Sequence, residues 1–370
     1  MPYTPLYLVN KLEKRKEAGL YRSLSRENGL IDFVSNDYLG FATTGKLQAW
    51  LDKHDISHIP HFTGSTGSRL LSGNTEYAEA LENKIANFHG AEAGLIFNSG
   101  YDANIGLFSS IAGKDDTIIY DELIHASIKD GARLSLAKHF SFRHNDAEHL
   151  RKKIKAATGN IFVAVESVYS MDGDFAPLEE IVEICEEEGA YLIVDEAHAT
   201  GIFGKNGEGI VSDQKLQRSV FARIHTFGKA LGCHGAIVLG SKELRDYLIN
   251  FARSFIYTTA LPGHSLLAIY GAYELLPEAK KERNNLVNNI NYYTQIATEK
   301  GIQSFPSQIQ TIIIPGNDNV RKAAQNIREK GFDVRPVLSP TVPNGKERLR
   351  ICLHSFNTEE EIRKLFLLIS

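Results

Sequence analysis

Short apolar runs separated by longer amphipathic stretches dominate the first two thirds of this 370-residue chain. The runs do not alternate strictly between apolar and polar positions, which is typical of strands buried on both faces of a sheet. Stretches long enough for crossover helices separate the first four runs and predict a parallel or mixed open sheet. The short gap between the last two also permits an antiparallel hairpin. The predicted strands are 94–99, 117–122, 161–167, 191–196, 223–227 and 235–240.

Helical spacing of apolar positions marks four further segments. One of them begins at Asn74 and Thr75, whose side chains favour the N-cap position, and stops at Gly90. The last segment opens with three glutamates, which the positive end of a helix dipole favours. The predicted helices span 8–22, 74–90, 265–300 and 358–370.

The pattern changes near residue 251, where the buried runs give way to a loop and a long charged helix. The later segments "QTIIIPG", "FDVRPVLSP" and "ERLRICLHSF" predict strands of a smaller α+β unit. We therefore predict an α/β fold with a large, mostly parallel sheet and a smaller α+β domain at the C-terminus. The predicted boundaries are an N-terminal segment at 1–40, the large domain at 41–250 and the small domain at 251–370.

Composition excludes several classes of protein. The net charge of −4, from 41 basic and 45 acidic residues, argues against nucleic acid or an anionic membrane surface as the main partner. Cys185, Cys233 and Cys352 are odd in number and form no C-x-x-C pair, which is typical of a reducing compartment. The first 22 residues lack the apolar core of a signal peptide, and no run approaches the roughly 18 apolar residues of a membrane span. We expect a cytoplasmic protein without membrane insertion.

Polar residues follow five of the predicted strands. Ligands of open α/β sheets bind beyond the carboxyl ends of the strands, so these residues are candidates for a common site. Any one of them alone could be a helix cap or a buried hydrogen-bonding group, but their convergence at one rim predicts chemistry. The candidates are Asn98 to Tyr101, Asp121, Glu122, His125, Glu166, Ser170, Asp195, Glu196, His198, Thr226 and Lys229.

Lys229 stands out because Gly228, Gly232 and Gly235 surround it. A solvated lysine does not need such neighbours, whereas a lysine that reaches a ligand close to the backbone does. Lysine forms Schiff bases with carbonyl compounds and with pyridoxal phosphate. An aspartate that pairs with the pyridinium nitrogen is a second mark of that cofactor. Asp195 is the candidate, and an N-cap role for Asp195 is an equally open alternative.

Two other kinds of site find little support. The segment "GKNGEG" at 204–209 has the order G-x-x-G-x-G, which differs from the dinucleotide fingerprint G-x-G-x-x-G. His54 and His58 have helical spacing and His61 follows them, but Pro60 interrupts any helix and no glutamate occupies the H-E-x-x-H position. We expect no metal site, and a solvated connecting loop accounts for these histidines.

Nine segments, in order along nearly the whole chain, resemble the α-oxoamine synthases, which are pyridoxal-phosphate enzymes of fold type I. The resemblance is more specific than any single motif, and it implies that 41–250 binds the cofactor. The segments are "SNDYLGFA" (35–42), "GSTGSRLLSGN" (64–74), "FNSGYDANIG" (97–106), "DELIHASIKDGARLS" (121–135), "ESVYSMDGDFAPL" (166–178), "VDEAHATGIFG" (194–204), "TFGKALGCHG" (226–235), "FIYTTALP" (255–262) and "ERLRICLHSFNT" (347–358).

The resemblance implies a role for each catalytic side chain. Lys229 would carry pyridoxal 5'-phosphate as a Schiff base and act as the general base. Asp195 would pair with the pyridine nitrogen and keep it protonated. His125 would stack on the ring, and His198 and Ser170 would contact the side of the ring that bears the phenolic oxygen.

The resemblance also implies a phosphate site and a homodimer with shared active sites. The amides of Gly100 and Tyr101 and the hydroxyl of Thr226 would hold the phosphate, in agreement with the anion affinity of a helix N-terminus after a strand. Thr258 of the partner subunit or Thr259 of the partner subunit would complete the site.

Three residues are implied in substrate binding. Arg350 would clamp the carboxylate of the amino acid, a task that suits the bidentate guanidinium. Asn36 would line the substrate site, and Arg22 would contact the carboxylate of the acyl chain. Within the family the chain is most similar to members that condense L-alanine with a pimeloyl thioester, carried by coenzyme A or acyl carrier protein, in biotin synthesis.

Some positions depart from the family pattern. Gly263 occurs where a second proline is common, and Cys233 and His234 occur where smaller residues are usual. Neither change removes a catalytic group, but either could reshape the acyl path. Glycine C-acetyltransferase, serine palmitoyltransferase and 5-aminolevulinate synthase share the chemistry and remain alternatives. A non-catalytic relative that keeps the fold as an interaction module is a further alternative, against which the complete set of catalytic side chains argues.

Overall fold

A computed structural model describes residues 4–22, 24 and 29–369. Its helices are α1 Leu6–Glu17, α2 Lys46–Leu51, α3 Glu76–Phe88, α4 Gly100–Ser110, α5 Ala126–Leu134, α6 Ala147–Lys155, α7 Leu178–Glu188, α8 Ile210–Asp213, α9 Lys242–Phe251, α10 Arg253–Ile256, α11 Gly263–Leu275, α12 Lys280–Glu299, α13 Asn317–Glu329 and α14 Glu359–Ile369. Its strands are β1 Ile31–Asp32, β2 Ala93–Phe97, β3 Thr117–Asp121, β4 Lys138–Phe142, β5 Ile161–Glu166, β6 Tyr191–Asp195, β7 Ala222–Thr226, β8 Ala236–Gly240, β9 Ile309–Ile313, β10 Phe332–Asp333, β11 Arg335–Val337 and β12 Arg348–Cys352.

The central sheet has seven strands in the order β2-β8-β7-β6-β5-β3-β4. Its strands are parallel except for β8, which runs antiparallel to both β2 and β7. The carboxyl ends of β2, β3, β5, β6 and β7 therefore lie along the same rim. The predicted fold class, a mostly parallel sheet within an α/β architecture, is confirmed.

Three details of the prediction are wrong. The strand β4 was not predicted, because "KHFSF" is an edge strand whose side chains are largely exposed and lack a continuous apolar run. The single helix predicted over 265–300 is two helices, α11 and α12, which Pro277 separates. A proline has no N–H to donate and clashes with the preceding turn, so the helix ends there. The predicted loop at 251–265 contains the short helix α10.

The sheet separates two apolar clusters, because successive side chains of a strand point to opposite faces. Val163, Val165 and Val194 belong to the larger cluster, whereas Ala164 and Ile193 belong to the smaller one. The helices α4 and α5 pack together and contribute to the smaller cluster. Among the described helices, none is both long and apolar enough to cross a membrane.

The N-terminal residues pack onto the C-terminal part of the chain. Strand β1 pairs in parallel with β10, and the three-stranded antiparallel sheet β11-β12-β9 lies beside it. The amide of Cys352 donates to the carbonyl of Phe33 at 2.9 Å, and that of Ser355 donates to the carbonyl of Tyr38 at 2.8 Å. These bonds bring the segment 35–39 close to β12. The predicted domain boundaries stay predictions.

Candidate active site

A cavity of about 250 Å³ lies at the carboxyl ends of the central strands, and we call it the inner cavity. Eight of the residues to which the resemblance assigns a role line it, although they come from separate parts of the chain. The lining consists of Asn36, Ser99, Gly100, Tyr101, Asn104, His125, Glu166, Asp195, Ala197, His198, Thr226, Gly228, Lys229, His234 and Gly235.

Lys229 lies in the loop after β7, with its amine in hydrogen-bond contact with a histidine. Its Nζ is 2.7 Å from Nε2 of His198. Loss of hydration lowers the pKa of Lys229 to about 8, although the carboxyl groups of Asp195 and Glu166 act in the opposite direction. A substantial fraction of the amine is therefore neutral near physiological pH, as a nucleophile or a general base requires.

Asp195 is the last residue of β6 and is 5% exposed. Its Oδ2 accepts a hydrogen bond from Nδ2 of Asn104 at 2.9 Å, and its Oδ1 accepts one from the amide of Ala197 at 2.9 Å. The bond from Ala197 is a local turn contact, but no helix begins directly after Asp195, so the N-cap alternative is wrong. The hydrogen bond from Asn104 on α4 also fixes the orientation of the Asp195 carboxylate, which lines the inner cavity as an acceptor.

A chain of hydrogen bonds joins the amine of Lys229 to a guanidinium from the C-terminal sheet. Nδ1 of His198 is 2.8 Å from the hydroxyl of Tyr38, which donates to Oδ1 of Asn36 at 2.9 Å. The same Oδ1 accepts from NH2 of Arg350 at 3.2 Å. Burial, followed by the positive charge of Lys229, holds the pKa of His198 well below its usual value, so its ring is neutral. The neutral ring connects the amine to the substrate side of the cavity.

The start of α4 has the properties of an anion site. Ser99 caps this helix by accepting from the amide of Asp102 at 3.0 Å, and the helix begins at Gly100 beside the cavity. A Cβ on Gly100 would lie 2.5 Å from Cγ2 of Thr226, so a larger residue does not fit. Oγ1 of Thr226 is buried without a hydrogen-bond partner. A helix N-terminus and an unpartnered hydroxyl together suit a phosphate group.

Two exposed residues with aromatic side chains, His125 and Tyr101, line the inner cavity. His125 precedes α5, and its Nδ1 lies 2.7 Å from Oγ of Ser127, which orients the ring. Tyr101 is 48% exposed and donates its hydroxyl to Asp130 at 2.7 Å. The structure therefore leaves the backbone of Tyr101, rather than its side chain, to act at the helix start.

Other predicted residues lie outside the lining of the inner cavity. Ser170 uses its backbone, which donates to Oε2 of Glu166 at 3.1 Å and accepts from Nε of Arg350 at 2.7 Å. The hydroxyl of Thr258 and the carbonyl of Thr259 both accept from Nδ2 of Asn98 at 2.9 Å. The predicted cofactor contacts of these three residues stay predictions.

Arg22 lines a second cavity of about 500 Å³, which we call the outer cavity. It lies between the N-terminal segment and the C-terminal part of the chain. The outer cavity combines three guanidinium groups with proline and aliphatic side chains. Its lining consists of Arg15, Gly19, Leu20, Tyr21, Arg22, Met171, Arg321, Pro336, Val337, Leu338, Ser339, Pro340 and Thr341.

The three glycines around Lys229 are required for different structural reasons or, at one position, by no contact within the chain. Gly232 and Gly235 adopt left-handed backbone conformations, with φ of 63° and 109°, which favour glycine regardless of any ligand. A Cβ on Gly228 would meet only the carbonyl oxygen of Cys233, at an ordinary 3.6 Å. Backbone geometry therefore explains two of these glycines, and Gly228 alone fits the interpretation that the loop needs clearance.

Tyr38 and Asn104 were not among the candidate residues of the site, and Glu166 was a candidate without an assigned role. Tyr38 and Asn104 fix His198 and Asp195, and Glu166 faces the inner cavity. Glu166 had a visible signal, since it ends a predicted strand. Tyr38 and Asn104 lie within the family-like segments "SNDYLGFA" and "FNSGYDANIG", but nothing in their spacing indicated which side chains they would contact.

Comparison with known proteins identifies the family of this chain. Residues 28–367 match the model of aminotransferase class I and II. The chain belongs to the aminotransferase class I and II family. A relative from Emericella nidulans, named 8-amino-7-oxononanoate synthase, is 46% identical over 380 residues, which cover 96% of this chain and 92% of the relative.

Two solved structures are similar to this chain in fold. Serine palmitoyltransferase from S. paucimobilis, with bound pyridoxal phosphate and myriocin, superposes with a TM-score of 0.87 at 26% identity, covering 98% of this chain and 96% of that one. The 8-amino-7-oxononanoate synthase of Francisella tularensis superposes with a TM-score of 0.78 at 29% identity, covering 93% and 97%. The predicted resemblance to the α-oxoamine synthases is confirmed.

Proposed function

We propose that this chain is a pyridoxal-phosphate-dependent acyltransferase, an 8-amino-7-oxononanoate synthase that joins L-alanine to a pimeloyl thioester. The products are 8-amino-7-oxononanoate, carbon dioxide and the free thiol, and the reaction belongs to biotin synthesis. The observation that carries the proposal is one cavity that holds a half-buried lysine amine, an oriented carboxylate and an anion site. The names of the relatives support the choice of substrates.

The residues of the inner cavity fit the cofactor. Thr226 and the amides at the start of α4 would hold the phosphate, and Asp195 would accept from the ring nitrogen. His125 would cover one ring face, and Lys229 would carry the covalent bond. When bound, the cofactor supplies an aldehyde for attachment to amines and a ring that withdraws electrons from the substrate.

The chain's own groups perform the proton transfers and the orientation. Lys229, with its lowered pKa, takes a proton from Cα of the amino acid once the substrate has displaced it. His198 holds this amine at 2.7 Å. The guanidinium of Arg350 makes its hydrogen bonds to Ser170, Asn36 and Cys352. These partners carry no carboxylate, so Arg350 is suited to clamp the carboxylate of alanine.

The outer cavity is the place that we propose for the acyl chain. Met171, which lines it, is the neighbour of Ser170, whose carbonyl binds Arg350. The exposed guanidinium of Arg22 would pair with the distal carboxylate of the pimeloyl group, and the apolar side chains would pack against its methylene groups.

We also propose a homodimer in the cytoplasm. The two threonines after α10 would then serve the phosphate site across the interface, as Thr258 of the partner subunit and Thr259 of the partner subunit. Cys185, Cys233 and Cys352 form no disulfide, which agrees with a reducing compartment.

A matrix of amino acids and acyl thioesters, scored by thiol release, tests the proposed function. L-Alanine with a pimeloyl thioester should give the highest kcat/KM, and the comparison of coenzyme A with acyl carrier protein identifies the donor. Lys229→Ala is the matched control and should release no thiol above background. Highest activity with glycine and acetyl-CoA, or with serine and palmitoyl-CoA, would replace the proposed reaction. No thiol release with any pair would favour a non-catalytic relative.

A further inference from the structure

The inner cavity contains a second carboxyl group directly beside Asp195. Glu166 is the last residue of β5, and in the parallel pairing of β5 with β6 it is the register partner of Asp195. Both side chains line the cavity, and Glu166 is 2% exposed. Two carboxyl groups placed side by side and away from water do not both ionise without a large electrostatic cost.

Their hydrogen bonds distinguish the two carboxyl groups. Each oxygen of Asp195 accepts a bond, from Asn104 and from the amide of Ala197. Glu166 accepts the amide of Ser170 on Oε2, the amide of His125 also interacts with its carboxyl group, and Oε1 is buried without a hydrogen-bond partner. A lone acceptor oxygen is costly to bury, whereas a protonated Oε1 is a hydrogen-bond donor on a residue that lines the inner cavity.

The charges around Glu166 lead to the same division. The side chains that act on it are the carboxylate of Asp195 on β6 and the amine of Lys229 after β7. Lys129 on α5 and Tyr169 in the loop after β5 also interact with it electrostatically. Lys229 is the cation that acts most strongly on Glu166, and the carboxylate of Asp195 opposes it. Asp195 has the larger set of donors, which favours placing the proton on Glu166.

We infer that Glu166 carries a proton at neutral pH and presents its Oε1–H to an acceptor atom of the molecule bound in the inner cavity. The two carboxyl groups then have complementary roles, since Asp195 accepts a hydrogen bond and Glu166 donates one. The inference rests on the proposed function insofar as the bound molecule is pyridoxal phosphate or its amino-acid adduct. The protonation itself is a property of the chain.

The expected titration supports this division. Burial, followed by repulsion from Asp195, raises the pKa of Glu166 from 4.5 to about 8, although Lys229 and two backbone amides act in the opposite direction. The pKa in the folded protein therefore lies above the unfolded value. The stability that the bound proton contributes is complete below about pH 4.5 and is lost as the pH rises to about 8.

Difference infrared spectroscopy on the full-length protein, with and without pyridoxal phosphate, tests the protonation directly. At pH 7 the wild type should show the carbonyl band of a protonated carboxyl group that Glu166→Gln lacks, and the band should disappear as the pH rises through about 8. Glu196→Gln is the matched control, because Glu196 is also buried and adjoins Asp195 but does not line the cavity. That variant should keep the Glu166 band. A spectrum at pH 7 without a Glu166 band would overturn the inference.

Two substitutions separate a donor from a packing role. Glu166→Gln keeps the shape, accepts from Ser170 and donates into the cavity, so it should bind pyridoxal phosphate within about threefold of the wild type at pH 7. Glu166→Leu loses both bonds and should bind about tenfold more weakly. Equal losses in the two variants would show that the ionised glutamate is required and would contradict the inference.

The pH dependence of unfolding gives a readout that needs no bound cofactor. Between about pH 5 and pH 8, the wild type should lose stability relative to Glu166→Gln, and the difference should level off at higher pH. A constant difference over that range would refute the raised pKa. If the titration behaves as expected but thiol release fails for every substrate pair, the proposed function fails while the protonation of Glu166 stands.

Discussion

The inner and outer cavities are built in different ways, although Glu166 at the end of β5 lines the first and Met171 in the following loop lines the second. In the inner cavity, Glu166, Asp195 and His198 are at most 5% exposed and have defined hydrogen-bond partners. No residue in the lining of the outer cavity is fully buried, and its guanidinium groups of Arg15 and Arg22 are exposed.

This difference indicates how the two cavities divide the work. A buried, bonded group keeps its position and its protonation state when a ligand enters, which favours a fixed chemical step. Exposed cations and half-buried aliphatic side chains adapt at small energetic cost. We therefore expect the inner cavity to determine the reaction and the outer cavity to determine the acyl group.

The largest effect should follow from removing the charge of Asp195. Asp195→Asn keeps the shape but replaces an oriented anion next to the proposed ring nitrogen, so kcat should fall on the order of a thousandfold. Glu196→Gln is the control, because Glu196 is also buried but bonds to the amides of Ile210 and Val211, away from the cavity. It should change kcat by less than about threefold. Similar losses of kcat in both variants would show that Asp195 acts no differently from a buried carboxylate outside the inner cavity.

Arg350 should show the next largest effect, on the binding of the amino acid. Arg350→Ala removes the proposed clamp and should raise KM for alanine about a hundredfold, while KM for the thioester changes little. Arg350→Lys keeps the charge but loses the bidentate fork, so it should recover part of the loss. An unchanged saturation curve for alanine in Arg350→Ala would count against the clamp.

Tyr38→Phe tests the hydrogen-bond chain between the amine and the substrate side. Removal of the hydroxyl leaves His198 and Asn36 without their shared partner, so kcat/KM for alanine should fall about tenfold. The content of bound pyridoxal phosphate should stay the same, since Tyr38 does not line the inner cavity. Loss of the cofactor in this variant would show that Tyr38 supports the folded structure of the site, rather than acting through its hydrogen bonds to His198 and Asn36.

The smallest effect should come from the outer cavity. Arg22→Ala removes an exposed cation, so KM for the pimeloyl thioester should rise about fivefold at most, and less at high salt. Lys11→Ala removes an exposed cation from α1 that does not line the outer cavity and should have no effect. A loss in Arg22→Ala that is insensitive to salt and equal for uncharged acyl chains would refute pairing with a distal carboxylate.

The two cavities also differ in how far the sequence predicts them. Lys229, Asp195 and His198 follow buried strands, and parallel strands deliver their carboxyl ends to one rim, so local pattern was sufficient to bring them together. The bond between Asn36 and Arg350 joins positions 314 residues apart and depends on the packing of the N-terminal segment against β12. The strand β4 escaped prediction because an exposed edge strand has no apolar run. The spacing of residues within a segment does not predict contacts between residues so far apart in the sequence as Asn36 and Arg350.

Reduction of the yellow protein with borohydride, followed by peptide mapping, tests the central claim most directly. The amine that lies 2.7 Å from His198 should carry the cofactor, so the reduced adduct should be found on the peptide that contains Lys229. Lys229→Ala should retain no covalent adduct after reduction. An adduct on a different lysine, or a reducible adduct that persists in Lys229→Ala, would contradict the account.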